Sequence, residues 1–216
     1  MHVGFVGFGL IGGSIARAIR QAEPSPAWTM AAWSPSGTGP ERAVAEDVLD
    51  AAAPTPIAAL AGADLVILAG PPTACLVAID DLGGGWSGAL PPSAVITDVA
   101  STKTAMVARA DAAGLRYIGG HPMAGLEASG YDAARADLFV DRPWVLVPGQ
   151  HAQPADLDRV IQLARLCRAS AYSSQISRKL GLANARRRNL MAETGKRTTS
   201  CFSPARAICA SATRPP

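Results

Sequence analysis

His2-Val3-Gly4-Phe5-Val6-Gly7-Phe8-Gly9-Leu10-Ile11-Gly12-Gly13-Ser14 is the stretch on which the fold turns. Residues 2–6 read as a short buried strand, Gly7, Gly9 and Gly12 fall on the G-x-G-x-x-G spacing, and an Ile/Ala-rich helical pattern follows through Arg20. The three glycines serve different ends. Gly7 permits the tight turn, Gly9 lets the backbone meet a pyrophosphate, and Gly12 allows close helix–strand packing. The helix start adds free N–H groups and the positive end of a dipole, which suit an anion. Glycine spacing alone is weak evidence; the strand before it and the helix after it make this a dinucleotide-binding turn. Ser14 either adds a hydroxyl to the phosphate site or is an ordinary first-turn serine.

Outward from this turn, strand and helix patterns alternate, as a parallel sheet with crossover helices requires. Strands are predicted near 2–7, 28–33, 64–69, 94–98, 115–119 and 143–147, and helices near 10–21, 40–51, 73–79, 101–113 and 154–168. Val66-Ile67-Leu68 and Val95-Ile96 are apolar without alternation, the pattern of strands covered on both faces. The expected fold is α/β, a Rossmann-type NAD(P)-binding domain with a mostly parallel sheet over 1–150. A connecting helix over 151–170 and a basic, disordered tail over 171–216 complete the expected organisation.

Composition suits a soluble enzyme domain: 49% of the 216 residues are hydrophobic and 17% charged, enough for one sizeable core. No apolar run reaches the 18 or so residues of a membrane helix, and Met1 leads straight into a strand without a basic, signal-like region. The expected compartment is the cytoplasm. Cys75, Cys167, Cys201 and Cys209 show no C-x-x-C spacing, so free thiols are expected rather than a zinc site or a disulfide scaffold.

The first candidate for chemistry is His121, within Gly119-Gly120-His121-Pro122-Met123-Ala124-Gly125. Histidine exchanges a proton near neutral pH, and here it follows the strand-like Leu115-Arg116-Tyr117-Ile118 into a Gly/Pro loop, where α/β sheets bind ligands. The small neighbours are expected to let substrate and cofactor close to the backbone. After Asp98, Ser101 or Thr102 is a candidate N-cap for the next helix. Lys103 supplies charge for an anion or is simply solvated. At the end of the second strand, Ala31-Ala32-Trp33-Ser34-Pro35-Ser36 carries no acid to hold the ribose 2′-OH of NAD. Ser34 and Ser36 can donate to a 2′-phosphate, which tilts the expectation toward NADP, with a turn that makes no selective contact as the alternative.

Taken together, GFGLIGGS at 7–14, DLVILAGPP at 64–72, TDVASTK at 97–103, GGHPMAGLEASG at 119–130, and Leu138-Phe139 followed by the strand Trp144 to Pro148 resemble the prephenate/arogenate dehydrogenase family. The resemblance covers roughly residues 1–169. It implies NAD(P)-dependent oxidative decarboxylation of prephenate or arogenate in tyrosine biosynthesis, with His121 hydrogen-bonded to the substrate hydroxyl and Ser101 beside it. It also implies that Gly7, Gly9, Leu10, Ile11, Gly12, Ser14, Ser34 and Pro71 line the cofactor, NADP or NAD, and that the partner is a small molecule rather than nucleic acid or membrane.

Beyond residue 170 the pattern changes. Residues 171–216 hold nine basic residues and one acidic one, against eleven basic and sixteen acidic before them. The resembled family places a helical dimerisation domain here, with a His-Asp pair and a carboxylate-binding arginine; this chain has no histidine after His151. A shifted reading frame near Ser170 and a natural short form with a basic extension both account for that. The rival to an active dehydrogenase is a dinucleotide-binding module without turnover.

Overall fold

A computed structural model describes residues 1–22 and 27–173. Strand β1 (His2–Val6) is followed by helix α1 (Leu10–Ala22), β2 (Thr29–Trp33), α2 (Thr38–Ala45), β3 (Ala51–Ala52), α3 (Pro56–Leu60) and β4 (Leu65–Leu68). Then come α4 (Pro72–Gly83), β5 (Val95–Asp98), α5 (Thr104–Ala112), β6 (Tyr117–Pro122), β7 (Pro143–Pro148), α6 (Pro154–Leu166) and β8 (Ser170–Ser173). They build one eight-stranded sheet in the order β3-β2-β1-β4-β5-β6-β7-β8. Neighbours from β3 to β6 are parallel, β7 is antiparallel to β6, and β8 is parallel to β7.

The chain leaves β1 in one direction along the sheet and β4 in the other. That reversal opens a crevice at the carboxyl ends of the two strands, where open α/β sheets bind ligands. Every residue of β4 and β5 is buried, as expected of central strands covered on both faces. On one face Val66, Leu68 and Ile96 pack with Ile79 and Leu82 of α4, Met106 of α5, and Tyr117. Burying each such aliphatic side chain contributes about 1.5–3 kcal/mol before entropy is counted.

The departures from the predicted elements are local. The two alanines of β3 are too few to carry a pattern. α3 is announced by Thr55, whose hydroxyl accepts the Ala58 N–H at 3.2 Å, with Pro56 in the first turn; this cap signal is present in the sequence but falls in no predicted helix. The expected helix over 40–51 stops at Ala45, because Asp47 takes φ 56° and turns the chain out of the helix. The sheet continues through Ser173, past the point where the basic tail was expected to begin. α6 packs its Leu157, Val160 and Leu163 into the domain, all buried. Cys75 and Cys167 are free and buried; Cys201, Cys209 and the expected disorder of the tail lie outside the described residues. No helix among the described residues is long and apolar enough to cross a membrane.

Candidate active site

The three fingerprint glycines separate cleanly by what a side chain would meet. At Gly7, φ is 85° and an added Cβ would lie 2.5 Å from the Gly70 nitrogen, so only glycine fits. Its N–H donates to Trp33 O at 2.9 Å, tying the turn to the end of β2. At Gly12 a Cβ would sit 3.1 Å from Ala69 Cβ, the close helix–strand approach expected there. Gly9 is different, since its nearest neighbour would be Gly130 Cα at 4.0 Å. Protein packing requires glycine at position 7, is tight at position 12 and leaves position 9 open. The Gly13 N–H makes a helical bond to Gly9 O; the preceding amides of Leu10, Ile11 and Gly12 have no partner within the helix. Open backbone beside unpaired amides fits a pyrophosphate.

Ser14 takes a different place from the one expected. It is fully buried, and its hydroxyl accepts the Arg135 N–H at 3.0 Å, which joins α1 to the segment that follows the short turn Tyr131–Ala133. Gly13, unremarked in the sequence, is needed for the same junction, because a Cβ there would lie 2.6 Å from the Tyr131 ring. Pro71 stands exposed at the start of α4, next to Gly70 and therefore across from Gly7. Ser34 Oγ is buried without a hydrogen-bond partner. Ser36 is exposed instead, its hydroxyl 3.0 Å from Thr38 Oγ1. Arg42 is paired with Asp132.

At the end of β5, Asp98 organises the turn that holds Ser101. Its carboxylate is fully buried and accepts from Lys103 Nζ, from the Tyr117 hydroxyl and from the Ala100 N–H at 3.0 Å. These bonds hold 99–103 as a turn, so α5 starts at Thr104 and neither Ser101 nor Thr102 caps it. Ser101 is left exposed, its hydroxyl outside the helix cap. Lys103 is not simply solvated: its side chain is 14% exposed and committed to Asp98. Burial pushes the Asp98 carboxyl up and the Lys103 ammonium down, and each partner's charge opposes the other's shift. The Tyr117 hydroxyl is raised by burial and by Asp98, so it stays a proton donor.

His121 lies inside β6, opposite Val145 of β7, rather than in the loop expected for it. The strand runs on because Gly119 and Gly120 fit where larger residues would not. A Cβ on Gly120 would lie 2.4 Å from Asp98 O, and one on Gly119 3.0 Å from Lys103 Cδ. The glycines therefore admit protein, not ligand; the open glycine of this motif is Gly125, which has nothing nearby. β6 is parallel to β5, so His121 arrives at the same carboxyl edge as Ser101 and the Gly7–Gly12 turn. Its pKa is lowered, first by partial burial and then by Lys103, with Asp98 pulling the other way. The imidazole is thus neutral at pH 7 and able to accept a proton. Asp98 and Tyr117 had no motif to mark their partnership, since they are nineteen positions apart and meet only because β5 pairs with β6.

Comparison with known proteins adds an independent line. Residues 15–173 match the family model of the prephenate dehydrogenase nucleotide-binding domain, a match that begins just after the fingerprint. Prephenate dehydrogenase of Bacillus subtilis is 35% identical over 162 residues, covering 74% of this chain and 42% of the relative. Cyclohexadienyl dehydrogenase of Zymomonas mobilis is 31% identical over 152 residues, 69% of this chain and 50% of the relative. Among solved structures, arogenate dehydrogenase of Synechocystis superposes with a TM-score of 0.72 at 27% identity, over 93% of this chain and 76% of that one. The chain spans half or less of the length of these two curated relatives.

Proposed function

The chain belongs to the prephenate dehydrogenase family, and from that premise we propose that it binds NAD(P) at the Gly7–Gly12 turn and serves the oxidative decarboxylation of prephenate or arogenate. The observation that carries the reading is the open backbone at Gly9 beside the unpaired amides of α1, at the same sheet edge as His121. A bound nicotinamide supplies the hydride acceptor. The chain's own residues have two roles. His121, neutral and partly buried, accepts the hydrogen bond of the substrate hydroxyl and takes its proton as the carbinol carbon loses hydride. Ser101, at the neighbouring strand end, hydrogen-bonds the same hydroxyl. The ring then loses carbon dioxide and becomes aromatic, and the proton returns to the ring oxygen. Aromatisation drives the step, so alignment of the reacting carbon is the main demand on the protein.

NADP is the preferred cofactor in this proposal. No carboxylate stands between Trp33 and Gly37 to repel a 2′-phosphate, and the exposed Ser36 and Thr38 hydroxyls lie at the end of β2. Ser34, with its hydroxyl buried, contributes shape rather than a contact. In this reading the chain works in the cytoplasm on a small molecule, without nucleic acid, through one nucleotide-binding domain whose sheet runs on to Ser173.

Gly9→Asp tests the site. A Cβ there comes no closer than 4.0 Å to its nearest neighbour, Gly130 Cα, so the fold should melt as before, while a carboxylate against the pyrophosphate should abolish binding. Unchanged dinucleotide affinity by calorimetric titration would refute the assignment.

A further inference from the structure

The segment that follows His121 returns across the sheet. Met123 N–H donates to Pro143 O at 2.8 Å, holding the start of the segment at β6 and β7. Gly130 lies against Gly9, and φ of 81° there turns the chain down onto α1. β4 and β5 stand between β6 and β1. At about 4.8 Å per strand, the two ends are roughly 14 Å apart, well within the reach of eight residues. Residues 123–130 therefore form a strap along the carboxyl edge, from the strand that carries His121 to the open glycine of the fingerprint. Met123 and Leu126 on it are 53% and 45% exposed, and a cleft of about 320 Å³ lies beneath them, against Arg135 and Leu138.

The far end of the strap is held by Tyr131. Its ring stacks on Phe8 of the fingerprint, with centroids 5.4 Å apart, and Arg17 lies over it at 4.7 Å. The hydroxyl donates to Glu46 Oε2 at 2.7 Å, and Arg17 bonds the same oxygen at 2.6 Å. The ring also fills the space left by Gly13 and packs its Cβ near Gly39. One side chain thus touches the fingerprint turn, α1 and α2, while its own peptide ends the strap.

We propose that Tyr131 is a positioning residue for the dinucleotide: it anchors the strap so that the Gly9 backbone and the His121 strand close on one ligand. This rests on the reading of Gly7–Gly12 as the dinucleotide turn. An unanchored strap must be ordered by the ligand itself, which lowers affinity without touching any contact group.

The test uses the full chain, with NADH and NADPH as probes in calorimetric titration and with amide hydrogen exchange over 123–130. Tyr131→Ala should weaken binding about tenfold or more, the cost of ordering a few residues, and should raise exchange in the strap but not in β4 or β5. Tyr131→Phe, which keeps the stack and the fit to Gly13, should recover most of the affinity. Where Tyr131→Ala does not fold, Gly13→Ala pushes the ring aside from the other side and should show the same two changes. Unchanged affinity in a folded variant whose strap exchanges faster would overturn the proposal, as would unchanged exchange. Wild-type protein that binds neither probe would refute the dinucleotide reading itself, an outcome seen before any variant is compared.

Discussion

Gly9 and Gly12 belong to one motif, yet different demands act on them: a Cβ at Gly12 would press on Ala69 Cβ at 3.1 Å, and one at Gly9 would come no closer than 4.0 Å to its nearest neighbour, Gly130 Cα. Glycines that look alike in sequence therefore differ in what substitution costs. Gly120→Ala should destabilise the fold by about 1–3 kcal/mol, the usual cost of overpacking, because a Cβ would meet the Asp98 carbonyl at 2.4 Å; urea unfolding with no loss beyond 0.5 kcal/mol or so would contradict it. At His121 the reasoning is electrostatic. The proton-accepting form is lost as pH falls through a pKa that burial and Lys103 hold below the ordinary value of about 6.5. The acid limb of any turnover should lie below that value. Asp98 is the neighbour that raises this pKa, so Asp98→Asn should move the His121 titration to lower pH, followed by NMR of the ring protons; a move upward would show that the pair does not act on His121 as described. His121→Asn should leave the sheet intact while turnover falls about 10²–10⁴-fold, and full activity would exclude it as the base.

Among the elements, α6 shows how a helix can be legible while its role is not. Pro154 at its start and the spacing of Leu157, Val160 and Leu163 mark it in the sequence, where it reads as a connector. Its attachment depends on a remote pair: Arg116, just before β6, donates through Nε at 3.0 Å to Asp156, which is fully buried and also accepts the Gln153 N–H at 2.8 Å. Asp156→Ala should cost about 2 kcal/mol in chemical denaturation, less than a wholly buried pair because Arg116 is partly in water. An unchanged midpoint would mean that α6 is held by its apolar face alone. The strands divide in the same way. β4 and β5 announce themselves as unbroken apolar runs, whereas β6 hides its last residues in glycine, histidine and proline, which read as a loop until β7 pairs with them.

At the scale of the molecule, the sheet brings the Gly7–Gly12 turn, Ser101 and His121 to one carboxyl edge, and the chain covers half or less of two curated relatives' length. That edge predicts dinucleotide binding by the purified chain, read by calorimetric titration with NADH and NADPH; no measurable binding of either would refute this. Cofactor choice belongs to the same scale. Affinity for NADP should equal or exceed that for NAD, and Ser36→Asp should reverse the order. A tenfold preference of the wild type for NAD, about 1.4 kcal/mol, would contradict the reading of β2. Local signals in the chain were enough to specify the alternation of strand and helix and the tight glycine turn between β1 and α1, because apolar period and glycine spacing act over a few residues. That Lys103 is committed to Asp98 beside Tyr117, that Ser14 accepts the Arg135 N–H, and that Tyr131 reaches back to Phe8 came only with the folded sheet. Those choices depend on which strands become neighbours, and hydrogen bonds and van der Waals contacts act only once the sheet has brought distant residues within a few ångströms.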